Sequence, residues 1–295
     1  MSTISFYDET EAMFNAICSA CGISTPSKYF KVVDYHPNNI ANKLYHINFN
    51  NWKQKAFFEL AFHSCNTTGG RLNSMIRFNA HVSEIKSLLC EFDIGKFLDK
   101  YPSATPAIIN SFISDARKLG FIIKNPMSPP VSRWANACIK GANYIDGFSN
   151  EKDFIEDLTN IIGPSPWAPG QLKKAEEELS KRMSKPNGFG AALMCDFIKE
   201  YANYFDFIAK PDQWIVDVVN SAKRISKSYK DLTQYEIELQ NVVFEVNKYY
   251  PGKGLTMYQL DRMIWLICTG DFFLDGIDLH SAFGSIYINR INGTL

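Results

Sequence analysis

The sequence predicts a mainly α-helical protein, and three observations carry that expectation. Ten segments place apolar residues at three-to-four spacing, clusters of Pro, Gly, Ser and Asn separate them, and the two-residue alternation of strands is scarce. KYFKVVDYH and LYHINFN, near 28–49, are the only strand candidates and allow a small N-terminal hairpin.

The first two periodic segments, 53–64 and 81–101, are KQKAFFELAFHS and HVSEIKSLLCEFDIGKFLDKY. After the break YPSATP comes PAIINSFISDARKLGF, and after KNPMSPP come RWANACIKGANYI and KDFIEDLTNII. GPSPWAPG precedes the charged segment QLKKAEEELSKRM, and SKPNGFG precedes the apolar ALMCDFIKEYANYF. AKPD introduces QWIVDVVNSAKRI; the last two segments, YEIELQNVVFEVNKYY and TMYQLDRMIWLICTG, flank YPGKG. Each break contains residues that resist helix or favour turns. Proline-rich breaks near 102–106, 126–130 and 164–169 mark off a middle section of about 100–165, either an inserted helical element or part of a helical subdomain. Short connections between helices imply a packed helical fold, with no internal repeat and no low-complexity tract.

Composition excludes several classes. With 46% hydrophobic and 21% charged residues over 295 positions, the chain can bury one large or two modest cores. No apolar run approaches the ~18–20 residues of a membrane helix. No secretory leader is expected, and seven scattered cysteines suit reduced thiols in a cytoplasmic protein. A net charge of zero counts against binding nucleic acid through bulk charge, yet allows a local basic face. Lys173, Lys174, Lys181, Arg182 and Lys185 gather before the Gly-Phe-Gly turn, and Lys223, Arg224, Lys227 and Lys230 follow later. Solvated helix faces interleaved with Glu explain the same charges.

Two short motifs bear chemistry. In Gly188-Phe189-Gly190 the glycines permit unusual backbone angles and expose N–H groups at the start of a helix beginning Ala191-Ala192. Such a helix–hairpin–helix suits a phosphate, because amides and the helix dipole both favour an anion there. A glycine-capped connection between helices is the plain alternative. Asp212, after Pro211 and before an apolar helical run, suits an N-cap carboxylate; the same group facing a groove would stabilise positive charge developing on a sugar.

Other candidates carry less. Cys18 and Cys21 form a single CxxC with no second pair, so no metal is expected. The histidines at 36, 46, 63, 81 and 280 have no ligand spacing; His63 could line a pocket or sit in the core. TTGG at 67–70 lacks the GK[ST] of a phosphate loop. Trp265 reads as a packing residue, Asp196 and Glu200 lie one turn apart, and Asp217 is a second possible carboxylate.

Three separated segments together resemble the helix-hairpin-helix DNA glycosylase superfamily, in particular the branch that includes endonuclease III and the adenine glycosylase. They are AFFELAFHSCNTTGGRLNSM at 56–75, GFGAALM at 188–194 and KPDQWIV at 210–216. The family has an early helix running into a polar S-A-Q-T-(T/S) turn, then V-N, then a G-h-G hairpin, then an Asp opening a helix. Ser64 to Thr68 fall on that turn, and Leu72-Asn73 on the V-N.

The resemblance implies an all-α fold of two helical subdomains with a groove between them. Segments 50–100 and 220–295 would form one, and 100–220 the hairpin-containing other, with the insertion near 100–165. It implies that Asp212 is the catalytic carboxylate. Gly188, Phe189, Gly190 and Ala191 would hold a phosphate, Asn66 and Thr67 would enter the duplex near His63, and Lys185, Lys223 and Arg224 would supply a basic face. The implied activity is monofunctional excision of a modified or mispaired base from duplex DNA, by a monomer without cofactor. Strand-cleaving members carry a Lys two positions after the second hairpin glycine, where this chain has Ala192, so no lyase activity through that residue is expected. Asn66 stands for the usual Gln, the stretch between turn and hairpin is longer than in compact members, and the four-cysteine cluster loop is missing. Two alternatives stay open: a base-modifying enzyme of the hypermodified-thymine kind on this fold, and a non-catalytic DNA-binding helical protein.

Overall fold

The computed structural model describes residues 1–22, 47–65, 81–120, 129–163, 169–184, 190–202, 208–222, 232–270 and 283–293. Among these the fold is all-α, with thirteen α-helices, one 3₁₀ turn and no strand. The hairpin allowed near 28–49 falls almost wholly outside the described residues. The chain divides into two compact units, one of 1–40, 163–173 and 203–295, the other of 41–162 and 174–202.

The first unit is built from α1 (Thr3–Ala20), α10 (Gln213–Ser221), α11 (Thr233–Tyr249), α12 (Met257–Thr269) and α13 (Phe283–Asn292). Its core gathers Phe6 and Phe14 of α1, Ile215 and Val218 of α10, Leu239 of α11, Ile264 of α12 and Tyr287 of α13. Local signals set the helix ends. The Ser2 hydroxyl accepts the Ser5 N–H at the start of α1. Thr256 and Gln259 form a reciprocal capping box that opens α12. Gly270 closes α12 at φ 74°, a left-handed angle that glycine adopts without strain. α13 approaches α12 so closely that a Cβ at Gly284 would lie 3.2 Å from the Cys268 carbonyl oxygen. The periodicity of α1 and α13 lies outside the ten segments read from sequence.

The second unit holds α2 (Trp52–Cys65), α3 (Val82–Leu88), the 3₁₀ turn Cys90–Phe92, α4 (Ile94–Lys100), α5 (Pro106–Lys118), α6 (Pro129–Asp146), α7 (Glu151–Ile162), most of α8 (Gln171–Arg182) and α9 (Ala191–Ala202). α2 is its axis: all ten residues from Ala56 to Cys65 are buried, whatever face they occupy. It packs on α6 and α9. The Trp134 indole donates to the Ala61 carbonyl at 2.9 Å. Phe57 and Phe58 meet Phe92 edge-on.

Two expectations change here. The run 81–101 reads as one helix, but the chain breaks it at Cys90, Glu91 and Phe92, all left-handed at φ 52°, 57° and 60°. Asp93 then caps α4 by accepting the Lys96 N–H. The break turns Phe92 into the aromatic core, where it is 1% exposed. Likewise, segment 50–100 shares its unit with 101–162 and 174–202, whereas the sequence reading pairs it with 220–295. The cause is α2, whose apolar surface is covered by α6 and α9.

Candidate functional site

Asp212 opens α10 as its N-cap, with extended backbone angles (φ −85°, ψ −175°). Its Oδ1 accepts the N–H groups of Trp214 at 3.0 Å and Ile215 at 3.3 Å. Pro211 disfavours helical backbone angles at Lys210, so α10 does not extend back through that residue. The preceding turn is held from α11, where Glu236, fully buried, accepts the Ala209 N–H at 3.1 Å. Asp212 is half-buried, and Trp214 beside it is 37% exposed. Burial and the nearby carboxylates of Asp212 and Asp217 push the Cys268 thiol up to about 12. That thiol stays protonated and serves as neutral packing beneath the carboxylates. Asp217 is engaged by Gln213, whose Nε2 donates to it at 2.6 Å. This cluster belongs entirely to the first unit.

The second unit supplies the other motif. α8 and α9 flank the glycine turn, of which Gly190 and Ala191 are described and Gly188 and Phe189 are not. The backbone amide of Ala191 bonds the Glu176 carboxylate of α8, and a Cβ on Gly190 would sit 3.7 Å from Glu176 Oε1. Burial raises the Glu176 carboxyl above its ordinary range, and the Ala191 amide acts against that rise. The start of α9 is thus an anion-binding position in the molecule's own terms, and its anion is Glu176.

Nearer its middle, α9 meets α2 through four buried charged side chains. His63 Nδ1 lies 2.9 Å from Asp196 Oδ2. Its Nε2 lies 3.3 Å from Glu59 Oε2, an ion-pair distance without the alignment of a hydrogen bond. Lys199 Nζ lies 3.4 Å from Asp196 Oδ1. None of the four residues is more than 4% exposed. Burial pulls the His63 pKa down, but Asp196 and then Glu59 outweigh it and raise it to about 9. His63 therefore sits in the core as a cation.

These contacts also fix direction. Advancing along α9 from Asp196 towards Tyr201, whose phenol feels the Glu59 charge, runs backwards along α2 from His63 to Glu59. The two helices are antiparallel, so the chain leaves α2 at Cys65 on the same end of the pair where α9 begins at Ala191. Ser64 and Cys65 of one resemblance segment and Gly190 and Ala191 of another lie at that end.

No known family, curated protein or solved structure matches this chain. The glycosylase resemblance accordingly rests on the sequence segments alone.

Several expected residues, namely Asn66, Thr67, Lys185, Lys223 and Arg224, lie outside the described residues. Of the basic residues before the turn, Lys181 pairs with Glu178, and Arg182 pairs with Glu178 and Asp157. Trp265 is partly buried beneath the Arg262 guanidinium, whose centre lies 5.9 Å from its ring. A shallow cavity of about 190 Å³, lined by residues such as Trp52, Lys53, Asp93 and Asp146, contains none of the expected site residues. Among the described residues no cluster could hold a metal, and no helix is long and apolar enough to cross a membrane. The cysteines at 18, 21, 65, 90, 138, 195 and 268 are all free.

Sequence reasoning missed Glu59, Lys199, Glu176 and Glu236. Glu59 was within reach: a charge inside AFFELAFHSC, four residues before His63, has no solvated face to occupy on a helix so apolar. The partners on α9 are set by tertiary packing and leave no comparable mark.

Proposed function

We propose that the protein is a DNA glycosylase of the monofunctional type, excising a modified or mispaired base. The observation that carries this reading is Asp212, a half-buried N-cap carboxylate with two backbone amides on Oδ1. Helix amides favour its ionised form at neutral pH. The target base must first leave the stack, which costs a few kcal/mol and less at a damaged pair. The bond between C1′ and the base nitrogen then breaks, its electron pair leaving with the base. The Asp212 carboxylate stabilises the oxocarbenium-like sugar and orients a water. The water oxygen bonds C1′, and its proton passes to the carboxylate or the departing base. The products are a free base and an abasic site on an intact strand, since Ala192 offers no amine for a Schiff base.

The same capping bonds favour a second reading, in which Asp212 is only a structural cap and the chain binds DNA without chemistry. Asp212→Asn separates the two, because Asn caps a helix about as well as Asp. On the glycosylase reading the variant melts within about 1 kcal/mol of the parent, binds duplex normally and releases no base. The measurement is base release from duplexes carrying single damaged bases, followed by alkali to expose abasic sites. Equal release by parent and variant would sink the catalytic assignment.

A further inference from the structure

The four charges between α2 and α9 are unusual in their setting. Glu59 and His63 interrupt a helix that is buried throughout from Ala56 to Cys65 and, Ser64 apart, otherwise apolar there, and Asp196 and Lys199 lie in an equally buried stretch of α9. Burying charge is expensive unless partners compensate, and paired buried charges are better suited to fixing one arrangement than to adding stability. A neutral imidazole presents one donor and one lone pair. His63 has a carboxylate oxygen at 2.9 Å from one ring nitrogen and at 3.3 Å from the other, so a lone pair on either nitrogen would face negative charge. With both carboxylates ionised, the doubly protonated ring is the form that suits both contacts, and it joins a carboxylate on α2 to one on α9.

We propose that His63 is a positioning residue: in its protonated form it holds α9 in register on α2, and so sets the end of the helix pair where α2 finishes and α9 begins. The consequence for DNA rests on the function proposed above, which assigns that end to phosphate contact; the register itself does not. Loss of the proton leaves a lone pair against a carboxylate. The antiparallel pair then loosens near Asp196, about one and a half turns from Ala191. The charged groups facing the ring are Glu59 on α2 and Asp196 with Lys199 on α9. Tyr201 of α9 lies near Glu59 while bonding Glu151, and α6 contributes the buried thiol of Cys138 beside Ser64 and Cys65.

Amide hydrogen exchange of the α9 peptides, corrected for intrinsic rates, tests this across ~pH 7 to ~pH 10. In the parent, protection of α9 falls at least about tenfold over that range, while α12 of the other unit does not respond. In His63→Gln, α9 is less protected at neutral pH and the dependence disappears. Should His63→Gln fail to fold, Asp196→Asn serves instead: removing the carboxylate beside Nδ1 moves the midpoint to lower pH. A flat parent profile, an equal fall in His63→Gln or an unmoved midpoint in Asp196→Asn would each overturn the assignment. Binding of a short fluorescein-labelled duplex, followed in parallel at fixed ionic strength, keeps the two proposals apart. Affinity falling with α9 protection supports both. A pH-sensitive α9 in a protein that binds no duplex at any pH upholds the positioning role and removes the DNA reading.

Discussion

Glu176 is the residue on which the phosphate reading turns most directly. Its carboxylate already accepts the Ala191 N–H, so a DNA phosphate at the start of α9 must displace it or share the amide with it. Like charges at one helix terminus repel, and a helix end favours one anion by about 0.3–1 kcal/mol. Glu176→Gln keeps the side chain's length and an acceptor oxygen but removes the charge. Duplex affinity at low salt is expected to rise about two- to fivefold, by anisotropy. An unchanged affinity would move the phosphate contact away from Ala191 and leave Glu176 a simple cap. His63 makes a second residue-scale claim, about stability. Its folded pKa, about 9, lies above the ordinary 6.5. The stabilisation it gives is therefore complete below about pH 6.5 and lost as pH rises through about 9. Urea unfolding should show stability declining across that window by up to about 3 kcal/mol. In His63→Gln the decline should be absent. Stability that stays flat to pH 9 would mean the ring is neutral in the folded protein.

At the scale of elements, the contact of α2 with α6 is the tightest test of packing. A Cβ at Gly141 would collide with Leu60 Cδ1 and Cδ2, and Leu60 is fully buried. Gly141→Ala gains helix propensity, worth about 1 kcal/mol in open surroundings. Overpacking a closed core costs about 1–3 kcal/mol, and here it wins. The midpoint of urea unfolding should fall; a rise would show that α6 shifts freely. Such contacts also explain what the sequence could and could not disclose. Each of the ten periodic segments forms helix among its described residues, 81–101 as two short helices, because each repeats its apolar spacing. Asp212 announces the helix it caps by residue type and position alone. The break inside 81–101 is different. Phe92 is drawn inward by Phe57 and Phe58, some thirty-five residues away in the chain, and no local pattern encodes that pull. The pairing of α2 with α9 is hidden for the same reason. His63 was visible as a candidate, but its partner Asp196 reads locally as one acid of a solvated helix face.

At the scale of the whole molecule, charge sets the strictest condition on the proposed function. Thirty-one basic residues balance thirty-one acidic ones. Long-range attraction to DNA is therefore weak, and affinity must come from a few local phosphate contacts together with capture of a displaced base. Among the described basic residues, Arg182 and Lys181 are already tied to Asp157 and Glu178, and Lys140 donates to the Ser184 carbonyl. Recruiting them to phosphate means exchanging one anion for another, with little net gain. The number of phosphates neutralised should accordingly be small, about two to four. With a slope near −0.9 per phosphate, log affinity against log salt should then run at about −2 to −4. A strongly basic binder would be much steeper. Specificity follows the same logic. With weak background attraction, a duplex carrying the target base should outcompete undamaged duplex by a ratio that changes little with salt, because flipping and pocket contacts are not counterion-driven. Titrations of both duplexes between low and moderate salt decide the matter. A slope near zero for both would mean that no phosphate is held at all, and the chain would then have to act on something other than DNA.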